Sequence, residues 1–343
     1  MSQFLYDQFF TSLPDTTASL AGKTAIITGS NVGLGLEAAR KYAACGVSKL
    51  ILAVRSTSKG EEAKQDILKS LKVTTAKTQW VSSGVTGGDQ KEAQENDNRI
   101  EVWPLDLSSY KSVQAFADRV DSALDRLDIC IENAGIAVDK FERFEDNEST
   151  ITTNVISTFL LAHLLLPKMK DTASRYSTRP TLTIISSGVH FWTQIPERKL
   201  PGALFDNLNN PKTANMKERY SVSKLLEVFY VREFCAHHPA STFPVTVNMV
   251  DPGFCWSTLA RDAGGWSMWL MRTALARSTE YGSRTLAYAG TCGEETHGEF
   301  MANCQVRETA KFVRSEEGQE LQKKVYSEVN EKLEKIKPGI TSV

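Results

Sequence analysis

The stretch from Lys23 to Gly46, KTAIITGSNVGLGLEAARKYAACG, constrains the fold more than any other part of the chain. TAIIT (24–28) is short, β-branched and apolar, as a strand buried on both faces must be. LEAARKYAACG (36–46) carries apolar residues at helical spacing and stops at Gly46. Between them lies T-G-S-N-V-G-L-G, Thr28 to Gly35. Glycine there lets the backbone approach a ligand without a Cβ clash. A helix beginning near Leu34 aims its free N–H groups and positive dipole end at whatever fills the turn. A strand–turn–helix of this kind suits a dinucleotide pyrophosphate. An ordinary tight βα turn can have the same residues, so the motif alone leaves both open.

The same rhythm continues along the chain. KLILAVR (49–55), RIEVWPLDL (99–107), LDICIENAG (127–135), TLTIISS (181–187) and VTVNMVDPG (245–253) read as strands. Amphipathic stretches at 60–71, 112–124, 147–170, 220–236 and 315–336 read as helices, the last docked on the outside. Alternation of this kind builds right-handed βαβ units. The expected fold class is therefore α/β, a doubly wound parallel sheet with helices on both faces. Residues 72–98 break the pattern: they are polar, rich in Gly and Ser and aperiodic, which points to a disordered insertion. Residues 1–20 read as an arm packing on the body. No repeat and no linker between two cores is visible, so 1–343 reads as a single domain.

Charge and composition exclude several classes. The net charge is −1, with no basic excess to neutralise phosphates, so nucleic acid is not an expected partner. Cys45, Cys130, Cys235, Cys255, Cys292 and Cys304 form no CxxC pair, and no His stands at ligand spacing beside them. No metal site is expected, and scattered thiols suit a reducing, cytoplasmic location. The richest apolar run, Phe159 to Met169, falls short of the roughly 18 residues a membrane span needs.

Four side chains are candidates for chemistry. Tyr220 and Lys224 stand four apart at the start of a helix, on one face. An ammonium beside a phenol favours the phenolate, which would make Tyr220 a usable acid/base. Ser187 ends a strand, at the sheet edge where ligands gather. Asn154 sits inside a helix, where Asn is a poor choice unless it has a polar task. Each alone has an ordinary structural explanation: a surface pair, a turn serine, a satisfied core Asn. At the end of the second strand Val54 stands where an NAD-selective site carries an acid, and Arg55 follows with a fork suited to a 2′-phosphate. The expected cofactor is NADP(H), against the alternative of a solvated surface arginine.

Taken together, these residues resemble a short-chain dehydrogenase/reductase over roughly residues 20 to 300. The turn Thr28 to Gly35 matches the family's TGxxxGxG, with Gly29, Asn31, Gly33, Leu34 and Gly35 as cofactor contacts. Asp106-Leu107 matches its adenine-contacting Asp-Leu, and Asn133-Ala134-Gly135 the end of its NNAG. Pro252-Gly253 matches its PG turn, with Ser257 placed like its cofactor-contacting Ser/Thr. The resemblance implies a Rossmann-type fold and a tetrad of Asn154, Ser187, Tyr220 and Lys224. Ser187 and Tyr220 would hold a carbonyl oxygen while Tyr220 donates its proton. Lys224 would stabilise the tyrosinate and bind the nicotinamide ribose, with Asn154 holding a water behind it. The redox set weighs against a non-redox cyclase or isomerase, or an NADP-sensing binding protein, on the same fold.

Within the family the chain is similar to the retinol-dehydrogenase-like and carbonyl-reductase-like branch, through LAVRSTSKGEEA, DLSSYKSV, NVISTFLLAHLLLP and DPGFCWSTLAR. EYGSRTLAYAG and the N-terminal arm resemble fungal biosynthetic-cluster members, implying a bulky secondary-metabolite carbonyl or alcohol as substrate. Glu132 replaces the first Asn of NNAG, and Ser157 replaces a usual Gly. The long stretch between Ser187 and Tyr220 is expected to wall the pocket, so 188–219 and 254–276 become the pocket segments. His190, Trp192 and Trp256 are its candidate lining residues. The Trp-rich 254–276 also suits a dimer or membrane-surface patch, which leaves monomer and homodimer open.

Overall fold

A computed structural model describes residue 8 and residues 10–81, 98–256 and 276–342, with the backbone alone at 73–81. The parallel strands are β1 (Thr24–Thr28), β2 (Lys49–Val54), β3 (Ile100–Pro104), β4 (Ile129–Glu132), β5 (Thr181–Ile185), β6 (Thr246–Asp251) and β7 (Phe300–Ala302). β8 (Gln305–Arg307) closes one edge antiparallel to β7. The spatial order is β8-β7-β6-β5-β4-β1-β2-β3. The chain winds outward from β1 to β3, then returns to β4 on the other side of β1. The crevice at the carboxyl ends of β1 and β4 is thus the topological switch point, where doubly wound sheets bind ligands.

Helices α1 (Gly33–Ala44), α2 (Thr57–Val81), α3 (Tyr110–Ala123), α4 (Ser149–Tyr176), α5 (Arg219–His237), α6 (Thr279–Ala289) and α7 (Glu316–Ile336) sandwich this sheet. Strand side chains alternate between two cores. Ile26, Ile51 and Cys130 face α3, α4 and α5, with Phe159, Leu160, Leu225 and Phe229 among their neighbours. Ala25, Ile27, Leu50 and Ile131 face the other way, against Ala39 and Tyr42 of α1 and Leu286 of α6. Leu321, Val325, Val329 and Leu333 of α7 complete the first core, so the tail helix is a layer and not an appendage. The arm is tied down by Leu13, whose N–H donates to the Tyr281 hydroxyl at 2.8 Å and whose carbonyl accepts from Arg284 Nη1 at 3.0 Å.

Several boundaries differ from the sequence expectation. α2 runs on through Val81, so the first part of the presumed insertion 72–98 is helical; residues 82–97 lie outside the described residues. Polarity alone is a poor stop signal for a helix that contains no Gly or Pro at its end. α6, β7 and β8 were not legible as elements. The β7–β8 hairpin turns at Asn303 and Cys304, with φ of 55° and 58°. That is the signature of a two-residue hairpin turn, written with Cys where Gly is usual. α4 spans 28 residues and is, by length and composition, apolar enough to cross a membrane, contrary to the expectation of none. That apolar window is 94% buried inside the protein, where it serves as the central core helix.

Candidate active site

The turn after β1 is built to leave room. Gly29 and Gly33 have φ of 65° and 66°, a conformation that side chains resist. A Cβ on Gly35 would lie 2.6 Å from Asn133 Nδ2 and 2.8 Å from the Gly29 carbonyl oxygen. Asn133 Nδ2 donates to the Thr28 carbonyl at 2.9 Å, and Ala134 N–H donates to Thr28 Oγ1 at 2.9 Å. These bonds hold the ends of β1 and β4 together at the switch point. Val32 precedes α1 and no side chain caps that helix, so its first N–H groups face the turn uncompensated. A pyrophosphate fits that need. Asn31 and Leu34 are half-buried on the same turn.

The remaining cofactor candidates line the same edge. Val54 is buried at the end of β2, while Arg55 is exposed and has no ion-pair partner among the described residues. Lys59, also exposed, stands in the first turn of α2 and adds a second cation that belongs to no sequence motif. Asp106 Oδ1 accepts from Ser108 N–H at 3.0 Å and Ser108 Oγ at 2.8 Å. The Leu107 side chain belongs to the core, so any ligand contact there is through its backbone. A Cβ on Gly135 would lie 3.1 Å from Asn154 Oδ1. Pro252 is buried, and Gly253 N–H donates to Asp251 Oδ1 at 3.0 Å. A Cβ on Gly188 would lie 2.9 Å from Asp251 Oδ2, so the PG turn packs directly on the loop after Ser187. Ser257 lies outside the described residues.

Asn154, Ser187, Tyr220 and Lys224 arrive from three elements. α4 opens as Ser149–Ile151, widens into a π-turn at Thr152–Ile156, and resumes as Ser157–Tyr176. Asn154 sits in that π-turn, a local irregularity frequent at functional sites. Its Oδ1 accepts from Ile136 N–H at 2.9 Å, and its Nδ2 donates to the Ile136 carbonyl at 2.9 Å and to Ser223 Oγ at 3.0 Å. The Ser223 hydroxyl in turn donates to the Tyr220 carbonyl at 2.8 Å. Ser187 follows β5 and caps the 3₁₀ turn Gly188–Trp192, its hydroxyl accepting from Val189 N–H at 3.3 Å; the same hydroxyl neighbours the Tyr220 phenol and eases its pKa down. Lys224 is buried, and Nζ donates to the Ile185 carbonyl at 2.6 Å and to Glu227 Oε1 at 2.8 Å.

The electrostatics depart from the sequence expectation. Tyr220 was expected to have its phenol lowered by Lys224. It is held above its ordinary value instead, first by burial and then by the charges of Glu227 and Asp251, with only the Ser187 hydrogen bond acting the other way. The Lys224 ammonium lies 5.7 Å from the Tyr220 ring centre and is matched by a carboxylate at half that distance. Glu227 was not singled out from sequence. Its signal was there: an acid in the apolar run LLEVFYV, on a helix face that must be buried.

The presumed pocket residues separate. His190 is fully buried and does not line open space. Nδ1 lies 2.7 Å from the Ser187 carbonyl oxygen and Nε2 accepts from Ala310 N–H at 3.2 Å. Burial pushes its pKa down to about 4, so it is a neutral buckle tying Ser187 to the chain before α7. Trp192, at the end of that 3₁₀ turn, is 72% exposed. Trp256 is 44% exposed, its N–H donating to the Arg277 carbonyl at 3.0 Å. The rest of the 254–276 segment, from Ser257 through residue 275, lies outside the described residues. The segment 188–219 is pinned by Arg219, wholly buried, whose Nε is 3.4 Å from Glu148 Oε2 and whose Nη2 is 3.4 Å from Glu197 Oε1. Burial pushes the Cys255 thiol up to about 12, and no metal-binding cluster exists among the described residues.

Comparison with known proteins accords with this geometry. Residues 89–177 match the family model for short chain dehydrogenase. The chain is 50% identical over 342 residues to the short chain dehydrogenase/reductase dmxR8 of Cryptosporiopsis sp., covering 99% of each. It is 38% identical to the short-chain dehydrogenase anuD of Penicillium roqueforti, over 98% of this chain and 84% of that one. A solved protein of Mycobacterium paratuberculosis superposes with a TM-score of 0.62 at 25% identity, covering 94% of this chain and 98% of its own. A Beutenbergia cavernae structure with NADP bound at low occupancy gives 0.56 at 18% identity over 84% and 97%, a likeness of fold. The chain belongs to the short-chain dehydrogenase/reductase family. It is thus an oxidoreductase by family, on a Rossmann-type fold, and members of that family use NAD(P)(H).

Proposed function

We propose that this protein is an NADP(H)-dependent carbonyl reductase, or alcohol dehydrogenase in reverse, acting on a bulky hydrophobic small molecule. The observation that carries the proposal is the Ser187–Tyr220 hydroxyl pair with Lys224 behind it, at the sheet edge beside the uncapped start of α1. The bound nicotinamide would supply or accept the hydride. Ser187 and Tyr220 present two hydroxyl donors to the substrate oxygen. Donors aimed at a developing oxyanion stabilise it by about 3 to 4 kcal/mol in comparable sites. Tyr220 gives its proton to that oxygen. Lys224 has three N–H donors, two of them engaged by Ile185 and Glu227, which leaves one for a ribose hydroxyl. Asn154 holds the Ile136 loop against α5, the helix that carries Tyr220 and Lys224.

Arg55 and Lys59 support the choice of NADP(H): two exposed cations stand beside β2, and that strand ends on Val54 and not on an acid. The relatives' organisms and the resemblance to biosynthetic members favour a secondary-metabolite substrate and a tailoring step. A cytoplasmic location belongs to the same proposal, as do the pocket segments 188–219 and 254–276. The test is a screen of ketones and aldehydes by NADPH consumption, with Tyr220→Phe as control. We expect turnover that falls at least about 100-fold in the variant. Wild type should prefer NADPH over NADH by at least about tenfold in kcat/KM, and Arg55→Ala should erase most of that. Cofactor binding without turnover on any carbonyl would favour the non-redox alternative.

A further inference from the structure

Beneath the tetrad lies a pair of buried acids with no part in the chemistry above. Glu227 is 1% exposed, one turn after Lys224, and its Oε1 accepts the Lys224 ammonium at 2.8 Å. Its other oxygen has no hydrogen-bond partner. Glu132 ends β4 opposite Ile184 of β5, is 4% exposed, and has no partner for either carboxylate oxygen. An ionised carboxylate in that position would forfeit its hydration with no compensation. Burial, and then the neighbouring Glu227 charge, accordingly hold Glu132 well above the usual carboxylate range, as the neutral acid. Glu227 is pushed up to about 7 by burial, with Lys224 opposing.

This arrangement alters what Lys224 does to Tyr220. An unpaired ammonium would draw out the phenolic proton. Here the ammonium is clamped between the Ile185 carbonyl and Glu227, and its charge is matched within the same helical turn. The other groups facing the site add to the effect or leave it intact. Asp251 on β6 adds a negative charge, itself offset by Arg277 and by the amides of Gly253 and Gly188. Cys130 on β4 is a buried, protonated thiol, and Ser187 offers a hydrogen bond only. The Ser186 hydroxyl donates to the Lys224 carbonyl, and Asn154 is occupied by Ile136 and Ser223.

We propose that Glu227 is a positioning residue that clamps Lys224 and offsets its charge, keeping Tyr220 a proton donor, with Glu132 held uncharged beside it. The site is thereby biased toward reduction, in which Tyr220 must enter the reaction protonated. This rests on the assignment of Tyr220 as the acid/base, but the experiment does not depend on turnover. Tyrosinate absorbance of the full chain is followed against pH, and the curve of Tyr220→Phe is subtracted to isolate Tyr220. The same is done in Glu227→Gln and in Glu227→Asp, each with its own Tyr220→Phe control.

Loss of the Glu227 charge should bring the onset of the Tyr220 signal down by about one pH unit or more, the usual effect of removing a neighbouring like charge. Glu227→Asp should restore it toward wild type. Once a substrate is known, the basic limb of kcat/KM for reduction should move the same way in Glu227→Gln. Glu227→Asn, smaller and equally neutral, carries the same expectation if the glutamine variant does not fold. An unmoved onset in a folded neutral variant, or collapse of both neutral variants while Glu227→Asp folds, makes Glu227 a packing residue and overturns the proposal. Failure of the NADPH screen would leave the titration result standing, so the two ideas fail separately.

Discussion

Removing the Arg219 guanidinium should be among the most damaging changes to this fold. Arg219 is wholly buried one residue before Tyr220, and faces Glu148 and Glu197, both buried, at 3.4 Å each. In Arg219→Met the two carboxylates lose their counter-ion but differ in what remains. Glu148 still caps α4, accepting from Thr150 N–H at 2.9 Å and Ile151 N–H at 3.2 Å. Glu197 keeps only Asn215 N–H at 3.0 Å, and its second oxygen has no partner. Breaking a buried pair from one side costs about 3 to 5 kcal/mol. Unfolding entropy of about 2.1 cal/mol/K per residue gives a 343-residue chain about 0.7 kcal/mol/K, so Tm should fall by about 4 to 7 °C. The decisive arm is the double variant. Glu197→Gln alone should destabilise, whereas on top of Arg219→Met it should stabilise, because it removes the charge left stranded. Urea denaturation of the four proteins of this cycle gives the coupling directly. A loss below about 1 kcal/mol for Arg219→Met, or Glu197→Gln effects of the same sign in both backgrounds, would refute this account.

Three further outcomes follow from the same packing. Gly35→Ala forces a Cβ to within 2.6 Å of Asn133 Nδ2, so it should cost about 1 to 3 kcal/mol and raise KM for the cofactor more than it lowers kcat; differential scanning calorimetry and saturation curves test both. Burial depresses His163 and His190 to about 4, below their unfolded value, so their contribution is complete above about pH 6.5 and is lost as pH falls toward 4. Urea stability should therefore fall steeply in that window, and a flat profile would contradict the burial of both rings. Glu132 is raised, so its contribution has the opposite sign: it is present at low pH and is lost as pH rises toward its folded value. Glu132→Gln should flatten that decline and be more stable than wild type above neutrality in the same urea series.

What was legible in the sequence was local. The order of strands and helices, the glycine turn at Gly29 to Gly35 and the Tyr220–Lys224 spacing are set by periods of two and 3.6 residues and by backbone conformations that few residues tolerate. Elements written in weaker signals were missed for physical reasons. The β7–β8 hairpin turns on Asn303-Cys304, and the end of α2, KVTTAKTQWV, is rich in Thr and Lys with no clear apolar face. The π-turn at Asn154 left its mark as an Asn inside an apolar helix, although its width could not be read from one residue.

The sequence by itself determined the fold class, the winding of the sheet and which residues reach its carboxyl edge, because hydrophobic periodicity and turn chemistry act over a few residues at a time. Tertiary structure alone decided which charges meet. Glu132 reaches the vicinity of Glu227 only because β4 lies beside β5 and α5 packs across that face of the sheet. Glu148 and Glu197 share one guanidinium because the segment before Tyr220 folds back on the start of α4. His190 carries the sequence marks of a pocket residue, yet it is sealed by a backbone amide 120 positions away. Charge partners depend on distances in the packed state and on the loss of water around them, and neither is written in the spacing of residues along the chain.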